Sequence, residues 1–213
     1  MLGFYNYTVV LTYLSFISGV TGIVLSLAGG DGFAGVICLM LSGFFDLFDG
    51  KVASTKKNRT PEEKKFGIQI DSLSDLVCFG VLPGAIGYAL GLKEVYWIVL
   101  FALYALAALI RLAYFNVAEE ARQQTTTGVR KSYNGMPVTS VAIFIPVIYF
   151  IGYLCSFPTA FPYIYAVCLG IFAIAMLLAR LNVPKIGGKN IYIWSGIFIL
   201  AIAIAAVVFL LLK

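Results

Sequence analysis

The chain has 213 residues, of which 61% are hydrophobic and 12% charged. A soluble domain carries roughly 25% charged residues, so the composition excludes an ordinary water-soluble fold and indicates an integral membrane protein. The net charge of +5 then reports membrane topology and attraction to anionic lipid heads, not a nucleic-acid footprint.

A bilayer span needs roughly 20 apolar residues. The first such run, Val9–Ala28, has no basic cluster ahead of it and no small-residue cleavage site after it, so it reads as a retained span rather than a signal peptide. A tight turn at Gly29–Gly32 leads to Phe33–Val52. A charged spacer precedes Ile68–Leu90, and a second tight turn at Gly91–Glu94 leads to Val95–Phe115. Val138–Leu154, Tyr163–Leu181 and Ile191–Leu212 follow, with Pro158–Pro162 breaking the fifth run from the sixth. The expectation is an all-α, polytopic membrane bundle of about seven transmembrane helices, a single domain over residues 1–213.

Of the fifteen lysines and arginines, all but Lys93 and Lys213 fall on the side of the loop between spans two and three. Positive charge marks the cytoplasmic side, which predicts an N-terminus inside and a C-terminus outside the cell membrane. The cysteines, Cys38, Cys78, Cys155 and Cys168, form no close-spaced pair and read as buried thiols acting as small hydrophobes.

Against that apolar background stand two aspartate pairs inside predicted spans, Asp46 with Asp49 and Asp71 with Asp75. Four carboxylates near a bilayer centre would cost on the order of 10–14 kcal/mol if uncompensated. The chain contains no histidine, and an oxygen-only donor set suits a hard divalent cation such as magnesium, manganese or calcium. Residues three or four apart share a helix face. Spans two and three run in opposite directions, so Asp49 and Asp71 should form a shallow layer, with Asp46 and Asp75 one turn deeper. Such a set suits two cations clamping a phosphate group. Glycines surround it: Gly43, Gly50, Gly67, Gly80 and Gly84. Small residues serve close helix packing or admit a ligand to the backbone, and both readings apply here.

The stretch Asp46-Leu-Phe-Asp49-Gly50-Lys-Val-Ala53, followed by Gly67-Ile-Gln-Ile-Asp71-Ser-Leu-Ser-Asp75, resembles the signature of the CDP-alcohol phosphotransferases. That pattern reads D-x-x-D-G-x-x-A-R, a spacer, then G-x-x-x-D-x-x-x-D. The resemblance implies a helical bundle with a cytoplasm-facing pocket. It implies a CDP-linked lipid bound through its pyrophosphate to two divalent cations, and an alcohol whose attack releases CMP. Carried over by position, Asp46 and Asp71 would bridge both metals. Asp49 would complete the first, and Asp75 would ligate the second and act as general base. Gly50 and Ala53 would lie against the cytidine, with Gly67 beside them. Thr12 falls where the family often places a nucleotide contact, although a threonine in a span usually bonds its own helix backbone. A homodimer is also implied.

Two departures stand out. The arginine that ends the first half of the pattern is Ser54 here, and the spacer Thr55–Phe66 is long and rich in charge. Lys51, Lys56, Lys57 and Arg59 are the candidates to replace the lost phosphate contact, each with a solvated-loop reading beside it.

Asp71-Ser-Leu-Ser-Asp75-Leu-Val-Cys-Phe-Gly-Val-Leu-Pro83 resembles the phosphatidylserine synthase branch of that family. So do Arg111-Leu-Ala-Tyr-Phe-Asn116 and Asn134-Gly-Met-Pro137-Val-Thr139. This points to L-serine as the acceptor. Serine needs a cation for its carboxylate, and Arg111, on an apolar helix, either meets such an anion or snorkels to the surface. Asn116, Asn134 and Thr139 are candidate polar partners or helix caps. Arg130 is a candidate for the acceptor carboxylate or, with Lys131, for anionic lipid heads. Pro137 is expected at the start of its helix.

Two other classes compete. Intramembrane carboxylates also line ion paths, but transporter sites tend to lie at the midplane between repeats, whereas these acids cluster toward one side. A scaffold held by small-residue packing would tolerate asparagine at all four aspartates. Within the enzyme class the rival acceptors are glycerol phosphate and inositol phosphate, which would want convergent basic residues.

Overall fold

The computed structural model describes residues 3–125, 132–134, 136–154, 159–178 and 182–184. Its helices are α1 (Val10–Gly29), α2 (Gly32–Thr55), α3 (Pro61–Asp75), α4 (Leu82–Ala89), α5 (Val95–Thr125), α6 (Val141–Leu154) and α7 (Phe161–Leu177). Strands β1 (Ser132–Asn134) and β2 (Asn182–Pro184) form a small antiparallel ribbon that pairs Tyr133 with Val183. Four helical stretches are long and apolar enough to cross a membrane: Tyr7–Gly29, Gly32–Thr55, Pro61–Ala89 and Val95–Ala121. Two shorter apolar helices, Val138–Gly152 and Phe161–Leu177, accompany them. The seventh expected run, Ile191–Leu212, lies outside the described residues.

Local chemistry sets the boundaries. Gly30 adopts φ 62° at the end of α1, a left-handed cap that an L side chain resists. Asp31 then caps α2, its side chain accepting from Ala34 N at 2.9 Å. Thr60 and Glu63 form a reciprocal capping box ahead of α3, with Pro61 in the first turn. That box starts the third span at Pro61 rather than Ile68, so most of the charged spacer is helix. The fourth span likewise runs past Phe115 to Thr125. Pro137 precedes a short 3-10 turn, Val138–Ser140, rather than opening α6 directly.

Between α3 and α4 the rod continues through a π-helical turn, Leu76–Val81, in which Leu82 N–H bonds Val77 O. In an α-helical register Phe79 O would accept from residue 83, which is a proline and has no N–H. Tyr104 on α5, fully buried, donates its hydroxyl to Phe79 O at 2.8 Å. Tyr165 on α7 donates to Pro83 O at 2.8 Å. Apolar surroundings supply no water for such carbonyls, so two tyrosines from other helices satisfy the irregular turn and clamp it in place.

Packing follows residue size. On α1, Ser15, Gly19, Gly22 and Ser26 form one buried stripe. A Cβ at Gly19 would stand 2.4 Å from Cys78 Sγ, and one at Gly22 would stand 2.7 Å from Cys38 Cβ. These glycines let α1 lie directly on α2 and the π turn. The interior, with Leu39, Phe79, Leu82, Ile86, Val141 and Ile145, joins α2, α4 and α6. Apolar side chains also cover the outside, as on α5 at Val99, Leu103, Leu106 and Ile110. Apolar residues on both the inner and outer faces are what a lipid solvent requires.

Tyr104→Phe should leave Phe79 O without its donor and cost about 1 kcal/mol. The check is thermal unfolding in detergent, where Tyr104→Phe melts earlier than wild type and the exposed Tyr163→Phe does not.

Candidate active site

Asp46 and Asp49 occupy the last turns of α2, and Asp71 and Asp75 the last turns of α3. Across the interface the Asp49 side chain faces Asp71 and the Asp46 side chain faces Asp75. The two layers expected from the helix periods are therefore the two facing pairs. Asp46, Asp49 and Asp71 each offer an oxygen within 4.8 Å of the others. Asp71 Oδ1 is buried with no hydrogen-bond partner, and Asp75 is only 7% exposed. Four carboxylates this close repel one another unless a compensating charge lies among them. The all-oxygen donor set and the orphaned Asp71 oxygen fit a hard divalent cation.

Polar bonds between helices hold the layers in register. Thr12 Oγ1 donates to Asp49 Oδ2 at 3.2 Å, so it serves the site rather than its own helix. Ser74, next to Asp75, donates to Thr12 O at 3.4 Å. One turn deeper, Ser15 Oγ donates to Ser42 O at 3.1 Å and Ser42 Oγ returns to Ser15 O at 2.9 Å. Cys78 Sγ donates to Ser15 O at 3.3 Å. This cysteine thus bonds as well as packs.

A cavity of about 280 Å³ opens beside Asp49 and Asp71. Thr12, Gly50, Ala53, Gly67 and Arg59 all line it. A Cβ on Gly50 would meet nothing within 4 Å, whereas one on Gly67 would come within 2.6 Å of Arg59 Nη2. Gly80 and Gly84 do a different job, seating Ala108 and Phe101 of α5. Ser54 stays outside the cavity. It is exposed, and its hydroxyl bonds Lys51 O at 2.7 Å.

Other cavity residues were not anticipated from the sequence: Thr8, Val9, Lys64 and Ile68. The segment before α1 reaches them through Asn6, whose amide donates to Glu63 Oε1 at 3.2 Å, and through Phe4 stacked edge-on with Phe66. The Thr60-x-x-Glu63 pattern was the available signal, because a capping box brings the spacer back toward the site.

The residues expected to hold serine are only partly described. Arg111 is 7% exposed, so it does not snorkel, and its Nε donates to Met136 O at 3.4 Å. Asn116 lies inside α5 rather than capping it. It exchanges hydrogen bonds with Ser72, the neighbour of Asp71, at 2.9 and 3.1 Å. Thr139 sits in the 3-10 turn. The backbone of Asn134 belongs to β1, while Arg130 lies outside the described residues.

The chain is similar to known proteins over this region. The yeast Saccharomyces cerevisiae CDP-diacylglycerol–serine O-phosphatidyltransferase is 35% identical over 113 residues, which is 52% of this chain and 40% of the relative. The archaetidylserine synthase of Methanothermobacter thermautotrophicus is 29% identical over 181 residues, 84% of this chain and 70% of the relative. The CDP-diacylglycerol–serine O-phosphatidyltransferase of Bacillus subtilis is 34% identical over 103 residues, 47% of this chain and 55% of the relative. The family described as CDP-alcohol phosphatidyltransferase matches residues 5–160, a stretch that contains all four aspartates and the cavity. The chain belongs to the CDP-alcohol phosphatidyltransferase family.

Proposed function

We propose that this membrane protein transfers a phosphatidyl or archaetidyl group from a CDP-linked lipid to L-serine, forming the serine phospholipid and releasing CMP. The observation that carries this reading is the juxtaposition of the paired carboxylates with a glycine-walled cavity at Gly50, Ala53 and Gly67. That the three relatives are a CDP-diacylglycerol–serine O-phosphatidyltransferase of yeast, another of Bacillus subtilis and an archaetidylserine synthase supports serine as the acceptor.

The CDP-lipid lies with its nucleotide in the cavity, against Gly50 and Ala53, where backbone can approach a flat base closely. Thr12 orients Asp49. Asp46, Asp49, Asp71 and Asp75 would hold two divalent cations, magnesium or manganese. When bound, these would neutralise the phosphate oxygens and lower the pKa of the attacking hydroxyl. The serine hydroxyl oxygen bonds to the lipid-bearing phosphorus as the bond from that phosphorus to the bridging oxygen breaks. The bridging oxygen leaves with CMP. Asp75 accepts the hydroxyl proton, a role that falls to a carboxylate in a chain without histidine. Arg111 meets the serine carboxylate, with Asn116, Asn134 and Arg130 as further contacts.

Positive charge near the carboxylates, at Lys51, Lys56, Lys57, Arg59, Lys64 and Lys65, supports a cytoplasm-facing site in the cell membrane. A homodimer is part of the reading on family resemblance alone.

The purified protein in detergent should release CMP from CDP-diacylglycerol, or from its isoprenoid-ether counterpart, only when L-serine and a divalent cation are both present. Asp75→Asn should lower the rate at least about 100-fold. CMP formed with glycerol phosphate or inositol phosphate but not with serine would keep the chemistry and replace the acceptor.

Manganese or magnesium should also raise the unfolding temperature of the wild-type protein, by relieving repulsion among the acids and by mass action. Chelator should reverse the shift, and Asp71→Asn should abolish most of it. An equal shift in the variant would place the cation elsewhere.

A further inference from the structure

The spacer of this chain brings a cation to the cavity at a position other than the motif's own. Ser54 is exposed and bonded to its own helix. Lys56 is committed to Glu63, at 2.7 Å. Arg59, five residues beyond Ser54, lines the cavity together with Asp49 and Asp71. Its Nη2 donates to Glu63 O at 3.2 Å, and its Nε is buried with no hydrogen-bond partner.

Two features hold the guanidinium there. Glu63 is fixed by the capping box, by Lys56 and by Asn6, so the carbonyl that Arg59 bonds belongs to an anchored turn. Gly67 supplies the seat, since a Cβ there would stand 2.6 Å from Arg59 Nη2. A planar cation with a spare donor beside a cavity is suited to a phosphate oxygen.

Resting on the reading of the cavity as a CDP-lipid site, we infer that Arg59, seated on Gly67, binds the diphosphate of that substrate in place of a cation at position 54. Gly67 is thus a substrate-site glycine at one remove, making room for the arginine rather than for the ligand.

The test uses the full chain in mixed micelles, with CDP-diacylglycerol as substrate and CDP and cytidine as competing inhibitors. Arg59→Ala should raise KM for the CDP-lipid about 10- to 100-fold, with a smaller change in kcat. CDP should lose far more inhibitory strength than cytidine, and Arg59→Lys should recover part of the loss. Lys65→Ala, an exposed charge on the same helix end, should match wild type. Arg59→Gln gives the same reading if the alanine variant does not fold. An unchanged KM, equal losses for CDP and cytidine, or a KM effect that disappears when anionic lipid is left out of the micelles would overturn the inference. A wild-type protein that neither releases CMP nor is thermally stabilised by CDP would overturn the underlying reading, and this inference with it.

Discussion

Four carboxylates held against one another in an apolar bundle are the constraint on which the rest depends. Each is costly in lipid, and their proximity compounds the cost by repulsion. The neighbouring structure holds these acids in position. Ser15 and Ser42 lock α1 to α2, Ser74 and Cys78 tie α3 and the π turn to α1, and Thr12 bonds Asp49 directly. The small residues of α1 bring these polar groups within reach. A bundle joined by larger apolar side chains would be more oily but would hold the acids less firmly in register.

The π turn adds to this control. It begins at the residue after Asp75, where a change of helical register alters the direction in which everything beyond it faces. π turns are frequent at functional sites for this reason. Here Pro83 removes an N–H from the ladder and Tyr104 supplies the missing donor. The last carboxylate of the site therefore borders an irregularity that a buried residue on α5 keeps satisfied.

Much of this was legible in the residues. The apolar runs marked the first four spans, and the first two nearly to their ends, because a helix in lipid must satisfy its own backbone and so shows itself by length. The aspartate spacings gave the facing layers, because three- and four-residue steps fix a helix face. The start of α3 was misread because charge suggested a loop, although Thr60-Pro61-Glu62-Glu63 carries a cap signal that outweighs it. The π turn and the ribbon were not legible. The first depends on Tyr104, 21 positions beyond the proline it compensates, and the second pairs two short segments 50 residues apart. Ser54 and Arg59 could not be ranked from order along the chain, since what separates them is the direction each side chain takes.

The rod from Pro61 to Ala89 has 29 residues, about 43 Å at 1.5 Å per residue. That exceeds the roughly 30 Å hydrocarbon layer, and Asp71 lies where its charged part gives way to its apolar part. In the proposed reading the carboxylates sit at the level of lipid phosphates, so an amphiphile need not climb out of its leaflet to meet them. For such a site, encounter is a search in two dimensions, and crowding within the leaflet takes the place of dilution in water. Turnover would then follow the mole fraction of the nucleotide lipid among its neighbours, and inert lipid would slow it by dilution without touching the protein.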